Sequence, residues 1–404
     1  MTVSNHCFLK AAAGTLEPVH VCYLCSEYPP APHGGIGSFC QTLARALVKR
    51  GHRASIIGLY PESYVSDGEH DAGVRVVRVP HRGLPLLRFA SNARRFHAAL
   101  NRLNEQEPID IIEGGEIDLY YLKKSSPGLK LLRMHGGPTF FQTGSRIQVW
   151  KEARSFRLAD RVCAVSQAVG EGTREMLKLG PVPIEVIHNP VDTDEYVADS
   201  SAEEDGLIVF AGTITPRKGI CELIAAMPLI LAKAPHARLE VYGGEAISPP
   251  PSTPLTATLI ASMSPEVASR VEWKGRVPRH VLPGALKRAS VCVYPSHIEA
   301  MPLAWIEALA SGKAVVAAET GPGHEIIDDG VTGLLCNPRD PASIAAQIIR
   351  VLNDAKLRGE LGAAARRSAV ERYSLPRIVD RNLEYYSSLI APARLSPDGV
   401  ALRP

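Results

Sequence analysis

No stretch of the sequence approaches the roughly 18 consecutive apolar residues that a membrane-spanning helix needs. The N-terminal residues lack the apolar core of a secretory signal. Both absences point to the cytoplasm. An excess of one charge is missing too. Lys and Arg number 45 against 42 Asp and Glu, a net +3, which is too mild to suit nucleic acid as a partner. No unit repeats at solenoid periods. There is no G-x-x-x-x-G-K-[ST] phosphate loop, and no G-x-G-x-x-G followed by an acid at the distance of a dinucleotide site. The eight cysteines are scattered. Only Cys22 and Cys25 form a C-x-x-C, inside the apolar run VHVCYLC, where strand geometry turns positions i and i+3 to opposite faces. That suits packing better than a redox pair or a shared metal.

What is present describes a globular chain. Its 404 residues suit about two domains, large enough to need no disulfide or metal staple. Gly (33) and Pro (32) are frequent but follow no period, which implies many short loops between many elements. Apolar strands alternate with amphipathic helices, the pattern of βαβ units in a parallel sheet. Strands are expected at His20–Leu24, Ala54–Leu59, Val74–Val79, Ile109–Ile112, Lys130–Met134, Arg161–Val165 and Glu185–His188, with a helix over Ser38–Arg50. The polar run DTDEYVADSSAEEDG then breaks the rhythm. A second series follows at Leu207–Phe210, Arg238–Tyr242, Val271–Lys274, Val291–Tyr294 and Ala314–Ala318. Helices are expected at Glu222–Ala232, interrupted by Pro228, and at Ala342–Leu352 and Pro376–Leu389. The expected organisation is a first domain over 1–192, a linker over 193–206, a second domain over 207–375, a crossover helix over 376–390 and a disordered tail over 391–404. Ser248–Pro254 reads as an exposed proline-rich loop. The fold class is α/β, two doubly wound domains facing a cleft, where ligands lie at the carboxyl ends of the strands.

Several units carry chemistry. In SHIEAMPLAWIEALASGKAVV, Pro302 fits the first position of a helix that ends at Gly312. Glu299 then lies in the loop before that helix and Glu307 inside it. A carboxylate is an acceptor that can take vicinal hydroxyls, and a helix N-terminus favours phosphate. Together these suit a ribose diol, a diphosphate and a hexose. Glu307 is equally compatible with capping a loop or pairing with an Arg. FAGTITPRKG places Arg217 and Lys218 after a strand and a glycine turn, which suits a phosphate clamp or an ordinary basic turn. HGGIG, at His33–Gly37, allows close backbone approach. His135 and His188 each end a strand. Asp192-Thr193-Asp194 has the form of a metal-diphosphate site, but no ligand cluster supports it. From Ala72 to Asn104 there is no Asp or Glu but seven Arg. Arg88–Arg102 there has the pattern of a basic amphipathic helix with Phe89, Phe96, Leu100 and Leu103 apolar. It suits peripheral contact with an anionic membrane or a solvated face on the domain.

Taken in order, EYPPAPHGGIGSF, HGG, CAVSQAV, VIHNPVD, the TPRKG loop, LEVYGG, the E-x7-E unit and ETGPGHEIIDDGVTGLLCNPRD resemble the family 4 glycosyltransferases. The resemblance covers roughly Val19 to Leu389. It implies the GT-B fold of two Rossmann-like domains, with the C-terminal helix crossing back to the first. It implies transfer of a sugar, with retention, from a nucleoside-diphosphate sugar to a hydroxyl acceptor, in cell-envelope or exported glycan synthesis and without a metal or other cofactor. The acceptor is expected to be a glycan, a lipid-linked molecule or a small molecule. Glu307 would bind the ribose. Glu299 and the backbone of Met301, Pro302 and Leu303 would hold the donor sugar. Lys218, with Thr213 and Arg217 nearby, would face the diphosphate. Gly35 would approach the phosphate and the reacting sugar, His135 would sit near the sugar hydroxyls, and Gly321, Gly323 and Glu325 would complete the donor pocket. Phe140, Phe141, Arg146 and Trp150 are the expected acceptor contacts. His135, Glu299 and Lys218 form the expected catalytic set. Three positions depart from the family. Thr213 stands where Arg is common, Glu299-Ala300-Met301-Pro302 replaces Glu-x-Phe-Gly, and NPVD replaces NGVD. A nucleotide-sugar epimerase and an inactive binding subunit on the same scaffold remain compatible with these motifs.

Overall fold

A computed structural model describes residues 17–65, 68–82, 88–245 and 254–395. Cys7, most of the expected proline-rich loop and residues 396–404 of the expected tail lie outside the described residues.

Eight strands form the first sheet: β1 (His20–Leu24), β2 (Arg53–Tyr60), β3 (Glu69–Asp71), β4 (Val74–Pro80), β5 (Ile111–Gly114), β6 (Leu129–Met134), β7 (Arg161–Ala164) and β8 (Glu185–Val186). Their spatial order is β3-β4-β2-β1-β5-β6-β7-β8. All pairs are parallel except β3 with β4. Six strands form the second sheet: β9 (Leu207–Ala211), β10 (Arg238–Tyr242), β11 (Val271–Gly275), β12 (Val291–Tyr294), β13 (Ala314–Ala318) and β14 (Leu334–Cys336), in the order β11-β10-β9-β12-β13-β14. The order reverses beside β1 in one sheet and beside β9 in the other. Crevices for ligands form at such switch points, at the carboxyl ends of the strands.

The helices of the first half are α1 (Gly35–Lys49), α2 (Arg88–Gln106), α3 (Arg146–Leu158) and α4 (Gln167–Leu177). Those of the second are α5 (Ile220–Leu231), α6 (Leu255–Ser262), α7 (Pro265–Ala268), α8 (Leu282–Arg288), α9 (Leu303–Ala310), α10 (Gly323–Ile326), α11 (Pro341–Asn353), α12 (Ala355–Tyr373) and α13 (Leu375–Leu395). Helix α1 buries Phe39, Cys40, Leu43 and Leu47 along one face. It ends because Gly51 takes φ +82° and hands its amide back to Val48, a left-handed stop that glycine reaches without strain. The helix begins three residues before the expected Ser38, so Gly35 and Gly37 form its first turn rather than a free loop. Cys22 and Cys25 enter different core clusters, on opposite sides of the sheet.

Helix α5 runs through Pro228 without the expected break. The missing N–H and the ring clash of an interior proline cost about 3 kcal/mol. Burial of Leu223, Met227, Ile230 and Leu231 on both sides of it offsets that cost. Residues 391–395 of the expected tail continue α13.

That last helix packs on the first sheet. Arg133 of β6 is fully buried and donates to Glu113 Oε1 at 2.7 Å and to Asn382 Oδ1 of α13 at 2.6 Å. Tyr386 donates to Glu113 Oε2 at 2.7 Å and meets Tyr23 OH at 3.1 Å. The chain therefore passes between the halves twice, and the passages touch. Val191 N donates to Tyr373 O at 2.8 Å and Leu375 N to Val191 O at 2.9 Å.

The acid-free arginine stretch is divided: Arg94 and Arg102 are exposed on α2, while three other arginines are engaged by the protein. Arg78 is buried and held by Glu69, Tyr28 O and Pro29 O. Arg82 pairs with Glu62, and Arg75 donates to Gln106 at 2.5 Å. Phe96, Leu100 and Leu103 of α2 lie in the core, whereas Phe89, at the start of the same helix, is exposed. No helix among the described residues is long and apolar enough to cross a membrane.

Candidate functional site

The carboxyl ends of the two sheets face each other across a cleft of about 400 Å³. From the first half it is lined by the turn that opens α1. Gly34 is the N-cap of that helix and has no side-chain cap. The nearest atom to a Cβ placed on Gly35 is Leu303 Cδ1, across the cleft at 4.0 Å. Glu27 braces the turn by accepting from Gly37 N at 2.7 Å. A Cβ on Gly37 would sit 2.2 Å from Glu27 O, so only glycine fits there.

His135 follows β6 and meets Phe39 edge-on at 4.8 Å. Burial first, and then the neighbouring Arg133 charge, push its pKa down to about 3, which keeps the imidazole neutral. The next residue, Gly136 (φ +95°), donates to Glu116 Oε1 at 2.7 Å. Burial lifts the Glu116 carboxyl to about 7. Glu152 accepts from both Thr139 N, at 3.0 Å, and Thr139 Oγ1, at 2.5 Å. Glu116 and Glu152 thus fasten the HGG turn. Neither was expected, because one follows a strand and the other sits on a helix with no motif around it.

The expected acceptor contacts separate. Phe140 is buried in the core against Gly172. Phe141 is covered by Arg217, whose guanidinium lies 4.4 Å above its ring. Arg146 and Trp150 are exposed on α3, with Trp150 edge-on to Phe89 at 6.2 Å. None of the four lines the cleft. Their aromatic spacing along the sequence could not reveal that a residue from the other half caps Phe141.

In the second half, β9 leads to Gly212 and Thr213, which line the cleft. The following turn holds Arg217 and Lys218, and Gly219 closes it at φ +70°. A Cβ on Gly219 would lie 1.8 Å from Pro295 O. Gly219→Ala is therefore expected to displace the Lys218 turn from the Glu299 loop. The cost is about 1–3 kcal/mol in backbone strain alone, read as a lower melting temperature together with a fall in turnover. Arg217 turns toward Phe141 and Ile298 O and is not among the residues that line the cleft. Two unexpected arginines line the cleft instead, Arg276 and Arg279. The sequence signal for them, GRVPR after a strand, is no different from an ordinary basic loop.

Glu299 is 5% exposed and its Oε1 pairs with Lys218 Nζ. The loop that follows is pinned by the first half: Ser166 Oγ donates to Ala300 O at 2.6 Å and Asn189 Nδ2 to Met301 O at 2.9 Å. Pro302 is the N-cap of α9, one position before the first helical residue where it was expected, with φ −73° and ψ 120°. Leu303 lines the cleft beside it. Gly321 (φ +59°) backs the Glu299 backbone, where a Cβ would meet Glu299 O at 3.0 Å. Gly323 packs under Ala318 O. Neither glycine reaches the cleft. Glu325 spans the halves: its carboxylate accepts from Gln167 N at 2.9 Å and faces His188 Nε2 at 2.9 Å. These hydrogen bonds hold its pKa below the usual value despite burial.

Glu307 lies inside α9, 7% exposed, and Oε1 accepts from Arg279 Nη2 at 3.3 Å. Burial raises its pKa, and the Arg279 charge opposes that rise. Asp192 makes a local turn, accepting from Asp194 N at 3.0 Å and Glu195 N at 3.3 Å. Among the described residues no three His, Cys, Asp or Glu gather in a way that could hold a metal. A larger groove of about 560 Å³ lies where α12 meets α13, lined by Glu371, Arg377, Asp380 and Arg381. It holds none of the expected site residues, whereas Gly35, Thr213, Leu303 and Glu307 line the smaller cleft.

Known proteins match this arrangement. Residues 33–195 match the profile described as Glycosyltransferase Family 4, and residues 192–368 the profile described as Glycosyl transferases group 1. The alpha-maltose-1-phosphate synthase of Mycolicibacterium smegmatis is 30% identical over 271 residues, 61% of this chain and 68% of that protein. The phosphatidyl-myo-inositol mannosyltransferase of Mycobacterium tuberculosis is 26% identical over 88% of this chain and 93% of that protein. The structure of sucrose-phosphate synthase from Thermosynechococcus elongatus superposes with a TM-score of 0.79 at 22% identity, covering 93% of this chain and all of that one. The chain belongs to the family 4 glycosyltransferases, and its two facing sheets are their GT-B fold.

Proposed function

We propose that this protein is a retaining glycosyltransferase that moves a sugar from a nucleoside-diphosphate sugar to a hydroxyl of a glycan, lipid-linked or small-molecule acceptor, in cytoplasmic steps of cell-envelope or exported glycan synthesis. The observation that carries the reading is one cleft that joins the open turn at Gly35 to Glu307 and Thr213, with the paired Lys218 and Glu299 in the loops behind it. Relatives named alpha-maltose-1-phosphate synthase and phosphatidyl-myo-inositol mannosyltransferase support sugar transfer as the reaction class.

In this reading Glu307 accepts the ribose hydroxyls. Donor binding exchanges the partners of the resting ion pair: Lys218 turns to the diphosphate, and Glu299 to the hydroxyls of the sugar. The bond between the anomeric carbon and the diphosphate oxygen breaks. A bond to the acceptor oxygen forms on the same face, and the departing phosphate oxygen takes the acceptor's proton. Lys218 and the amides at the start of α1 stabilise the charge that grows on the leaving group. His135 stays neutral and serves as a hydrogen-bonding partner of the sugar rather than as a cation.

The test is a calorimetric titration with a panel of nucleotide sugars, followed by product analysis. Glu307→Ala is expected to weaken binding of the accepted donor about 10²-fold, the loss of charge-assisted hydrogen bonds, with an unchanged melting profile. Binding of no nucleotide sugar by the wild-type protein would favour the inactive-subunit reading. A product of the same mass as the donor, formed without acceptor, would favour an epimerase.

A further inference from the structure

Among the described residues that line the cleft, Glu307 is the only acid. It sits in α9, whose sequence LAWIEALA is otherwise apolar. A carboxylate in such a helix is costly unless a partner offsets its desolvation. The groups that face it come from three further elements. Arg279 reaches it from the turn after β11. Tyr196 and Glu195 approach from the segment between the sheets. Tyr294 lies on β12, beneath α9. Only Arg279 is a cation. Its side chain remains 34% exposed while that of Glu307 is 9% exposed, so the arginine keeps contact with water and lends its charge inward. It engages Oε1 alone.

We infer that Arg279 is a positioning residue that holds Glu307 as an ionised carboxylate and leaves Oε2 to accept the ribose hydroxyls of the donor. The inference rests on the ribose assignment of Glu307 given above. A neutral carboxyl group would offer a donor where the diol needs an acceptor. Burial pushes Glu307 toward that neutral form, and the Arg279 charge opposes the push. Without the cation, only the Tyr196 hydroxyl is left to oppose burial, and the carboxyl titrates higher. Donor binding then fails first at low pH and returns as the pH rises past the new midpoint.

The experiment measures binding of UDP, GDP, ADP and TDP by calorimetry between about pH 5.5 and about pH 9, a window that brackets a raised carboxyl. The tightest of these ligands is carried through the variants. Arg279→Met is expected to bind about tenfold more weakly near neutral pH and to regain most of the loss at the alkaline end, its acid limb displaced upward by about one unit. Arg279→Lys keeps the cation and is expected to follow the wild-type curve. Arg279→Lys is expected to melt as wild type, and Arg279→Met somewhat lower because the buried carboxylate loses its partner, a loss that by itself would not vary the affinity with pH. Wild-type affinity in Arg279→Met at every pH overturns the inference, and so does a loss that stays constant across the range. Glu307→Gln, which cannot titrate, is expected to bind weakly with no acid limb. If it binds as tightly as wild type, the ribose assignment fails and the inference with it. If it binds weakly while Arg279→Met matches wild type, the assignment stands and the inference alone fails.

Discussion

Lys218→Ala is expected to lower kcat by about 10²- to 10³-fold, the usual effect of removing one group aimed at charge that develops in a transition state. The variant also disturbs the resting protein. Lys218 is the cation that pairs with Glu299, whose side chain is only 7% exposed. Removing one partner of a largely buried pair leaves the other without compensation, a loss of about 3–5 kcal/mol when burial is complete. The 20% exposure of Lys218 makes the expected loss smaller, about 1–3 kcal/mol. The two effects separate in the double variant Lys218→Ala/Glu299→Gln. Its melting temperature is expected to return toward wild type while its turnover stays low. Steady-state kinetics beside thermal melts read both. A Lys218→Ala enzyme that turns over within threefold of wild type would remove the lysine from the reaction.

Glu113→Ala is expected to give the largest loss of stability, about 3–5 kcal/mol. Arg133 has no exposure and Glu113 has 2%, so deleting the carboxylate strands a guanidinium in the core. The same deletion frees the Tyr386 hydroxyl that now donates to Glu113 and leaves Asn382 as the main α13 contact of Arg133. Urea unfolding measures the stability, and limited proteolysis of α13 reports its release. A change below about 1 kcal/mol would show that Asn382 and the tyrosines suffice to satisfy the arginine.

Which features were legible in the sequence follows from how local their causes are. The expected central strands appear because they are short apolar runs buried on both faces: β1, β9 and β13 are buried at every residue, whereas the edge strands β8 and β11 are only partly buried. Strand β3 was invisible because Glu69-His70-Asp71 is polar and pairs only at an edge. Strand β14 is only Leu334–Cys336. Helix α12 carries alanine and charge around most of its surface, so no apolar stripe announced it. At the site, the E-x7-E spacing placed Glu299 in a loop and Glu307 in a helix, and the glycine loop placed Gly35 at the cleft. What the sequence could not reveal was pairing at long range. Arg279 lies 28 positions from Glu307. Lys218 lies 81 from Glu299. Phe141 and Arg217 meet from opposite halves. The first two contacts form only once the second sheet has folded, and the third only once the two sheets have also come to face each other.

The two chain passages joined at Val191 run side by side, in parallel register with Ser374, and exchange hydrogen bonds with Tyr373 and Leu375. A single covalent tether would let one sheet swivel about the other in every direction. Two tethers bonded to each other behave as the leaf of a door. Swinging about their common line stretches little, while twisting across it must shear those bonds. Any opening of the cleft would therefore swing about that line, and it would also have to break the bonds from Ser166 to Ala300, from Asn189 to Met301 and from Gln167 to Glu325 that cross between the halves.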